Sequence, residues 1–136
     1  MRVACFYFAL YGSVGLILSW LPPHFRALGF SGKEIALAAS VQAVLSIVVP
    51  PLWGYLADRS RRPVRVLRIT TLGAALAFLP MLAAERVAAV VAVLASFHLF
   101  ATALSSLIDG IAIVEARRLG TDYARLRLWG SLGFVF

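Results

Sequence analysis

Four stretches of this chain carry no charged side chain: residues 3–23, 35–57, 69–84 and 87–108. A helix that crosses a bilayer needs about 20 consecutive apolar residues. Three of the stretches meet that length directly. The stretch 69–84 meets it by taking in Val64 to Leu67 and Arg68, whose aliphatic stem lies along lipid while its head reaches water. The pattern predicts helices at about 3–23, 35–57, 65–84 and 87–116, joined by short loops. A fifth starts near Tyr123 and reads RLRLWGSLGFVF up to Phe136. At about 1.5 Å per residue, 123–136 crosses roughly half of the bilayer. A half-span leaves its last carbonyls unsatisfied in hydrocarbon. The expectation is a single membrane-embedded fragment, 1–136, of a longer all-α transmembrane protein.

The punctuation agrees with these helices. Leu21-Pro22-Pro23 is expected to end the first. Gly29 and Gly32 turn the loop that follows, and Ser31 with Glu34 three residues on forms a capping box for the second. Pro50 and Pro51 fall inside the second helix, where two missing backbone donors predict a kink. Small residues at Gly12 and Gly15, at Gly73 to Ala75, and at Ser106 and Gly110 permit close helix contacts.

Composition places these helices in lipid. The chain is 62% hydrophobic and 14% charged, with a mean hydropathy of +0.91. A soluble domain is nearer half apolar and a quarter charged, and one this short has no core large enough to hide so much apolar surface. The net charge of +7 does not point to nucleic acid, because the arginines sit at the ends of apolar runs with no basic-aromatic groove pattern. Cys5, the single cysteine, forms no intrachain disulfide. The first apolar segment exceeds the core of a signal peptide and lacks a small-x-small cleavage site, so it reads as a retained helix.

Charge also predicts orientation. Arg2, the cluster Arg59, Arg61, Arg62, Arg65 and Arg68, and the cluster Arg117, Arg118, Arg125 and Arg127 fall on one side; Arg26, Lys33 and Arg86 fall on the other. Ten basic residues against three predict a multi-pass protein of the inner (plasma) membrane with a cytoplasmic N-terminus.

Two constellations go beyond anchoring. The first is Gly54-x-Leu56-Ala57-Asp58-Arg59 followed by Arg62, where Asp58 stands among the basic residues of the inner loop. An acid at a helix end can dock the positive N-terminus of a neighbouring helix. This stretch resembles the loop 2–3 signature of the major facilitator superfamily, G-x-L-A-D-R-x-G-R-R. The resemblance implies that Gly54, Asp58, Arg59 and Arg62 form a hinge and latch between two six-helix halves. Arg61 departs from it, standing where the signature has glycine, and Pro63 stands where a second base is common.

The second constellation is Asp109 with Arg127. Asp109 lies in an apolar run about eight residues, or 12 Å, from the end of the fourth helix near Arg117; Arg127 lies about four residues, or 6 Å, into the fifth. Lone charges at such depth are expensive, and pairing is the usual solution, so an Asp109–Arg127 pair is expected. The segment from Asp122 to Ser131, DYARLRLWGS, is similar to the start of helix 5 in the superfamily's phenylpropionic-acid transporter branch and, more distantly, in its lactose-permease-like branch. An acidic residue stands eighteen positions before the second arginine in that group, as Asp109 does before Arg127 here. Tyr7-Phe8, Gly15 and Gly29-Phe30-Ser31 extend the resemblance into the first helix. It implies the first four and a half of twelve helices and transport by alternating access, with a proton-coupled symporter of a small organic acid, aromatic acids among them, favoured. Asp109 and Arg127 would contact substrate or couple the proton. Tyr7, Tyr11 and Gln42 are further cavity candidates.

The implied partners are the lipid bilayer, a small-molecule substrate with protons, and the C-terminal half of the transporter; no nucleic-acid partner and no cofactor are expected. His24 and His98 have no metal-ligand spacing, so no metal site is expected. No phosphate loop or nucleophile-base signature is present, and enzyme activity is not expected. Two other classes fit the apolar pattern: a self-contained four-helix membrane scaffold or subunit, and a small multidrug-type exporter.

Overall fold

The computed structural model describes residues 2–135, and among these every regular element is helical. The order is α1 (Arg2–Ala27), α2 (Gly32–Ser60), α3 (Pro63–Phe78), a 3₁₀ segment (Leu79–Ala83), α4 (Val87–Ala101), α5 (Leu104–Leu119) and α6 (Tyr123–Val135). Among the described residues four segments are long and apolar enough to cross a membrane: Val3–Ala27, Gly32–Ser60, Pro63–Ala83 and Val87–Leu119. Large apolar side chains stand outward on them, with Ile47 75% and Leu82 88% exposed. Hydrocarbon is the solvent that such faces fit.

Several helix boundaries differ from the expected ones. The first helix does not stop at Pro23: both Pro22 and Pro23 lie inside α1, which runs to Ala27. A proline pair removes two backbone donors without forbidding the helix, and α1 ends instead before Gly29, whose φ of +77° is the left-handed conformation that closes a helix. α2 starts on the expected capping box. The Ser31 N–H donates to a Glu34 carboxylate oxygen at 2.7 Å, and the Glu34 N–H donates back to Ser31 Oγ at 3.4 Å. Pro50 and Pro51 lie inside α2, as their placement in the apolar run required. The third span is α-helical only to Phe78; Pro80 has no N–H to give to a helical carbonyl, and the chain tightens into the 3₁₀ segment.

The fourth span is two helices rather than one, broken at Thr102 and Ala103. Thr102 Oγ1 donates to the carbonyl oxygen of His98 at 2.8 Å. Such back-bonding from a threonine bends a helix. His98 itself is buried, with Nδ1 2.8 Å from the Leu94 carbonyl oxygen.

The helices fall into two compact units. One comprises 28–107. In it α2, α3 and α4 pack on one another. The Trp53 indole N–H donates to the Leu99 carbonyl oxygen at 2.8 Å, and the Phe100 ring fills the space a side chain at Gly73 would need. The other unit joins α1 to the chain from Ile108 onward. Its principal contact is α1 against α6, at a crossing of small residues. A Cβ at Gly133 would strike the carbonyl oxygen of Phe8, and a Cβ at Gly12 would lie 3.2 Å from the carbonyl oxygen of Gly133. The two backbones touch there because neither helix carries a side chain at the crossing.

Candidate functional site

Four ionisable or phenolic side chains meet in the unit formed by α1, the later part of α5 and α6. Tyr7, on α1, has no exposed surface. Its hydroxyl donates to the carboxylate of Asp109, on α5, across 102 residues of chain. Arg127, on α6, donates from its guanidinium to the hydroxyl of Tyr123 at 3.1 Å, one helical turn earlier. Tyr123 lies near Tyr7 in the same cluster. The Asp109 charge acts on Arg127 as well. Asp109 and Arg127 therefore share one cluster but form no direct ion pair. Among the described residues the ion pair is Glu115 with Arg118, at 4.0 Å on the surface of α5. This corrects the expected Asp109–Arg127 contact. Each charge finds a phenol first: the half-buried Asp109 accepts from Tyr7, and the exposed Arg127 donates to Tyr123.

Tyr11 is the next turn of α1. Its ring is stacked on that of Tyr7, with centroids 6.2 Å apart and planes 15° from parallel. Tyr11, Val14, Arg127, Gly130, Ser131, Phe134 and Val135 line a cavity of about 420 Å³ between α1 and α6. One wall offers a guanidinium and two hydroxyls, and the other is aromatic and aliphatic. Such a cavity suits an amphipathic small molecule with a polar or anionic end.

Of the residues singled out in the sequence, Tyr7, Tyr11, Asp109 and Arg127 come together. Gln42 is exposed on α2, in the other unit. Tyr123 was not singled out, although its i, i+4 spacing to Arg127 on a helix is a signal that finds it.

The loop of basic residues is ordered by its helix ends. Gly54 lies within α2, Asp58 and Arg59 stand exposed on its last turn, and Arg62 precedes Pro63, the first residue of α3. Arg61 adopts φ 51°, ψ 19°, a left-handed conformation, and its N–H donates to the Asp58 carbonyl oxygen at 3.2 Å. Arginine thus takes up here the backbone shape that the signature's glycine would supply. Among the described residues no ion pair joins Asp58 to these arginines.

The spans and the polar cluster between them define a multi-pass α-helical membrane protein. Comparison with known proteins carries this further. The MFS_1 like family matches residues 1–136. The chain is 31% identical over 133 residues to a maltose permease of Geobacillus stearothermophilus, covering 96% of this chain and 33% of the relative. It is 31% identical over 135 residues to a protein described as a probable 3-phenylpropionic acid transporter of Escherichia coli (strain K12), covering 95% of this chain and 34% of the relative. An uncharacterized transporter of Bacillus subtilis (strain 168), YwbF, is 26% identical over 104 residues, 76% of this chain and 26% of its own. No solved structure matches. The chain belongs to the major facilitator superfamily, within the MFS_1 like family. It spans about a third of the length of the first two relatives.

Proposed function

We propose that this chain forms the N-terminal part of a proton-coupled symporter that carries a small organic acid across the inner membrane by alternating access. The observation that carries the reading is the cluster in which Tyr7 holds Asp109 and Tyr123 holds Arg127 beside a cavity with aromatic walls. In this reading the Arg127 fork binds the substrate carboxylate with paired, charge-assisted hydrogen bonds, exchanging its bond to Tyr123 for bonds to substrate. Asp109 carries the coupled proton, with the Tyr7 hydroxyl as its hydrogen-bond partner in both protonation states. Tyr11 and Phe134 supply apolar wall. Gly54, Asp58, Arg59 and Arg62 serve as the latch loop on the cytoplasmic side, with the N-terminus on the same side. The C-terminal half of the transporter supplies the remainder of the cavity.

The test is uptake of radiolabelled 3-phenylpropionate into proteoliposomes by the full-length protein under an imposed proton gradient. Arg127→Lys is expected to lower uptake at least about tenfold, because lysine cannot make the two-pronged contact and a hydrogen bond to a charged group is worth about 1.5–3 kcal/mol. Unchanged uptake removes Arg127 from the site.

A second reading has a specific observation behind it. The relative from Geobacillus stearothermophilus is described as a maltose permease. In that case the guanidinium and phenol hydroxyls bond to sugar hydroxyls rather than to a carboxylate. Radiolabelled maltose in the same vesicles separates the two readings, since only one solute is accumulated.

A further inference from the structure

Gly130 lies three residues after Arg127 on α6 and is buried. A Cβ built there would sit 2.8 Å from Cδ2 and 3.2 Å from Cε2 of Tyr11, and 3.4 Å from Cδ1 of Tyr7. Carbon atoms meet at about 3.5–4.0 Å, so the Tyr11 ring occupies the volume that any side chain at 130 would need. Tyr11 and Arg127 are two walls of the same cavity. Tyr7 stacks beneath Tyr11 and carries the bond to Asp109. We propose that Gly130 is a positioning residue: by carrying no side chain it seats Tyr11 against α6, and so sets the gap between Tyr11 and Arg127 and the size of solute that gap admits.

Gly133, one turn on, is under a different constraint. There the obstacle is the backbone of Phe8, so a side chain would separate the helices. At Gly130 the obstacle is a ring that can swing on its own χ angles. A side chain at 130 therefore moves a cavity wall before it moves a helix.

The test has a part that needs no ligand. The chain has four tyrosines, Tyr7, Tyr11, Tyr55 and Tyr123. Uniform 3-fluorotyrosine labelling of the full-length protein, with resonances assigned by single Tyr→Phe variants, reports each ring by ¹⁹F NMR. Gly130→Ala is expected to shift the Tyr11 resonance and leave that of Tyr55, on α2, in place. An unmoved Tyr11 resonance overturns the proposal. Where Gly130→Ala fails to fold, the double variant Gly130→Ala/Tyr11→Leu has the ring removed and is expected to fold; failure of both overturns the proposal in favour of a pure packing role.

The solute half rests on the organic-acid reading above. It is checked by binding of acetate, benzoate and 3-phenylpropionate to wild type and variant. Gly130→Ala is expected to change the ratio of 3-phenylpropionate to acetate affinity by about tenfold or more, the effect of a one-carbon change in an apolar pocket. Tyr11→Leu in the same chain is expected to abolish that sensitivity. An equal loss for all three acids overturns the size role. Should wild type bind none of them while Tyr11 still shifts in Gly130→Ala, the organic-acid reading falls and the seating of Tyr11 by Gly130 stands.

Discussion

Tyr7 is wholly buried, and its hydroxyl has one carboxylate to serve. Removing that hydroxyl leaves Asp109 inside the helix bundle without its phenol. A hydrogen bond to a charged group is worth about 1.5–3 kcal/mol, and a stranded partner costs on the same order. Tyr7→Phe is therefore expected to destabilise the protein by about 2 kcal/mol, read as a shift in the denaturation midpoint in detergent. Asp109→Asn in the Tyr7→Phe background is expected to add much less than it costs in wild type, since the bond it would weaken is already gone. Additive losses would show that the contact carries no energy. Asp109 and Arg127 were legible in the sequence because a charge in an apolar run is conspicuous. Their separation by two phenols was not. Tyrosine is unremarkable in a membrane helix, and which phenol reaches which charge depends on how α1, α5 and α6 are rotated.

At the scale of elements, the α1–α6 crossing makes the sharpest demand. A side chain at Gly133 meets the backbone of Phe8, which cannot turn aside as a ring does. Overpacking a tight contact costs about 1–3 kcal/mol. Gly133→Ala is expected to cost an amount in that range, and Gly133→Leu to cost more, read as successively lower denaturation midpoints in detergent. A Gly133→Leu midpoint equal to that of wild type would contradict the close crossing. The turn after α2 makes a milder demand. Arg61 holds a left-handed φ of 51°, which costs a non-glycine residue about 1–2 kcal/mol. Arg61→Gly removes that cost but adds unfolded-state freedom worth about 0.4–1 kcal/mol, so its net effect is small and stabilising. Arg61→Val is expected to destabilise by at least about 1 kcal/mol, because a branched Cβ fits that conformation worst. Equal midpoints for the valine and glycine variants would remove the strain argument. Existence and order of the helices were legible from hydrophobic runs. Their ends were not, where prolines were involved: Pro22 and Pro23 are tolerated within α1, whereas Pro80 turns the third span to 3₁₀ geometry. A proline states which donor is missing, and packing decides whether the helix survives the loss.

At the scale of the whole molecule, the chain pairs its first helix with the segment from Ile108 onward, while 28–107 forms its own unit. Nothing local in the sequence announces a pairing across a hundred residues. Only the choice of Tyr7 and Tyr11 as cavity candidates beside Asp109 and Arg127 touched on it. Orientation in the membrane is different, because it rests on a count. Ten basic residues are expected inside and three outside, and five of the ten are Arg59, Arg61, Arg62, Arg65 and Arg68. All five are exposed at the end of α2 or the start of α3, and among the described residues none is paired with an acid. Their charge is thus available to bias that loop towards the cytoplasm, as the proposed orientation requires. Green fluorescent protein inserted after Ser60 is expected to fluoresce, and alkaline phosphatase inserted after Gly29 to be active, as for a cytoplasmic and an external loop respectively. Replacing the five arginines by glutamine leaves five against three, a bias too weak to orient a multi-pass chain reliably. Both reporters are then expected to give mixed signals. Active phosphatase in the Ser60 loop of the wild-type protein would invert the orientation, and with it the side on which Asp58 and its neighbouring arginines act.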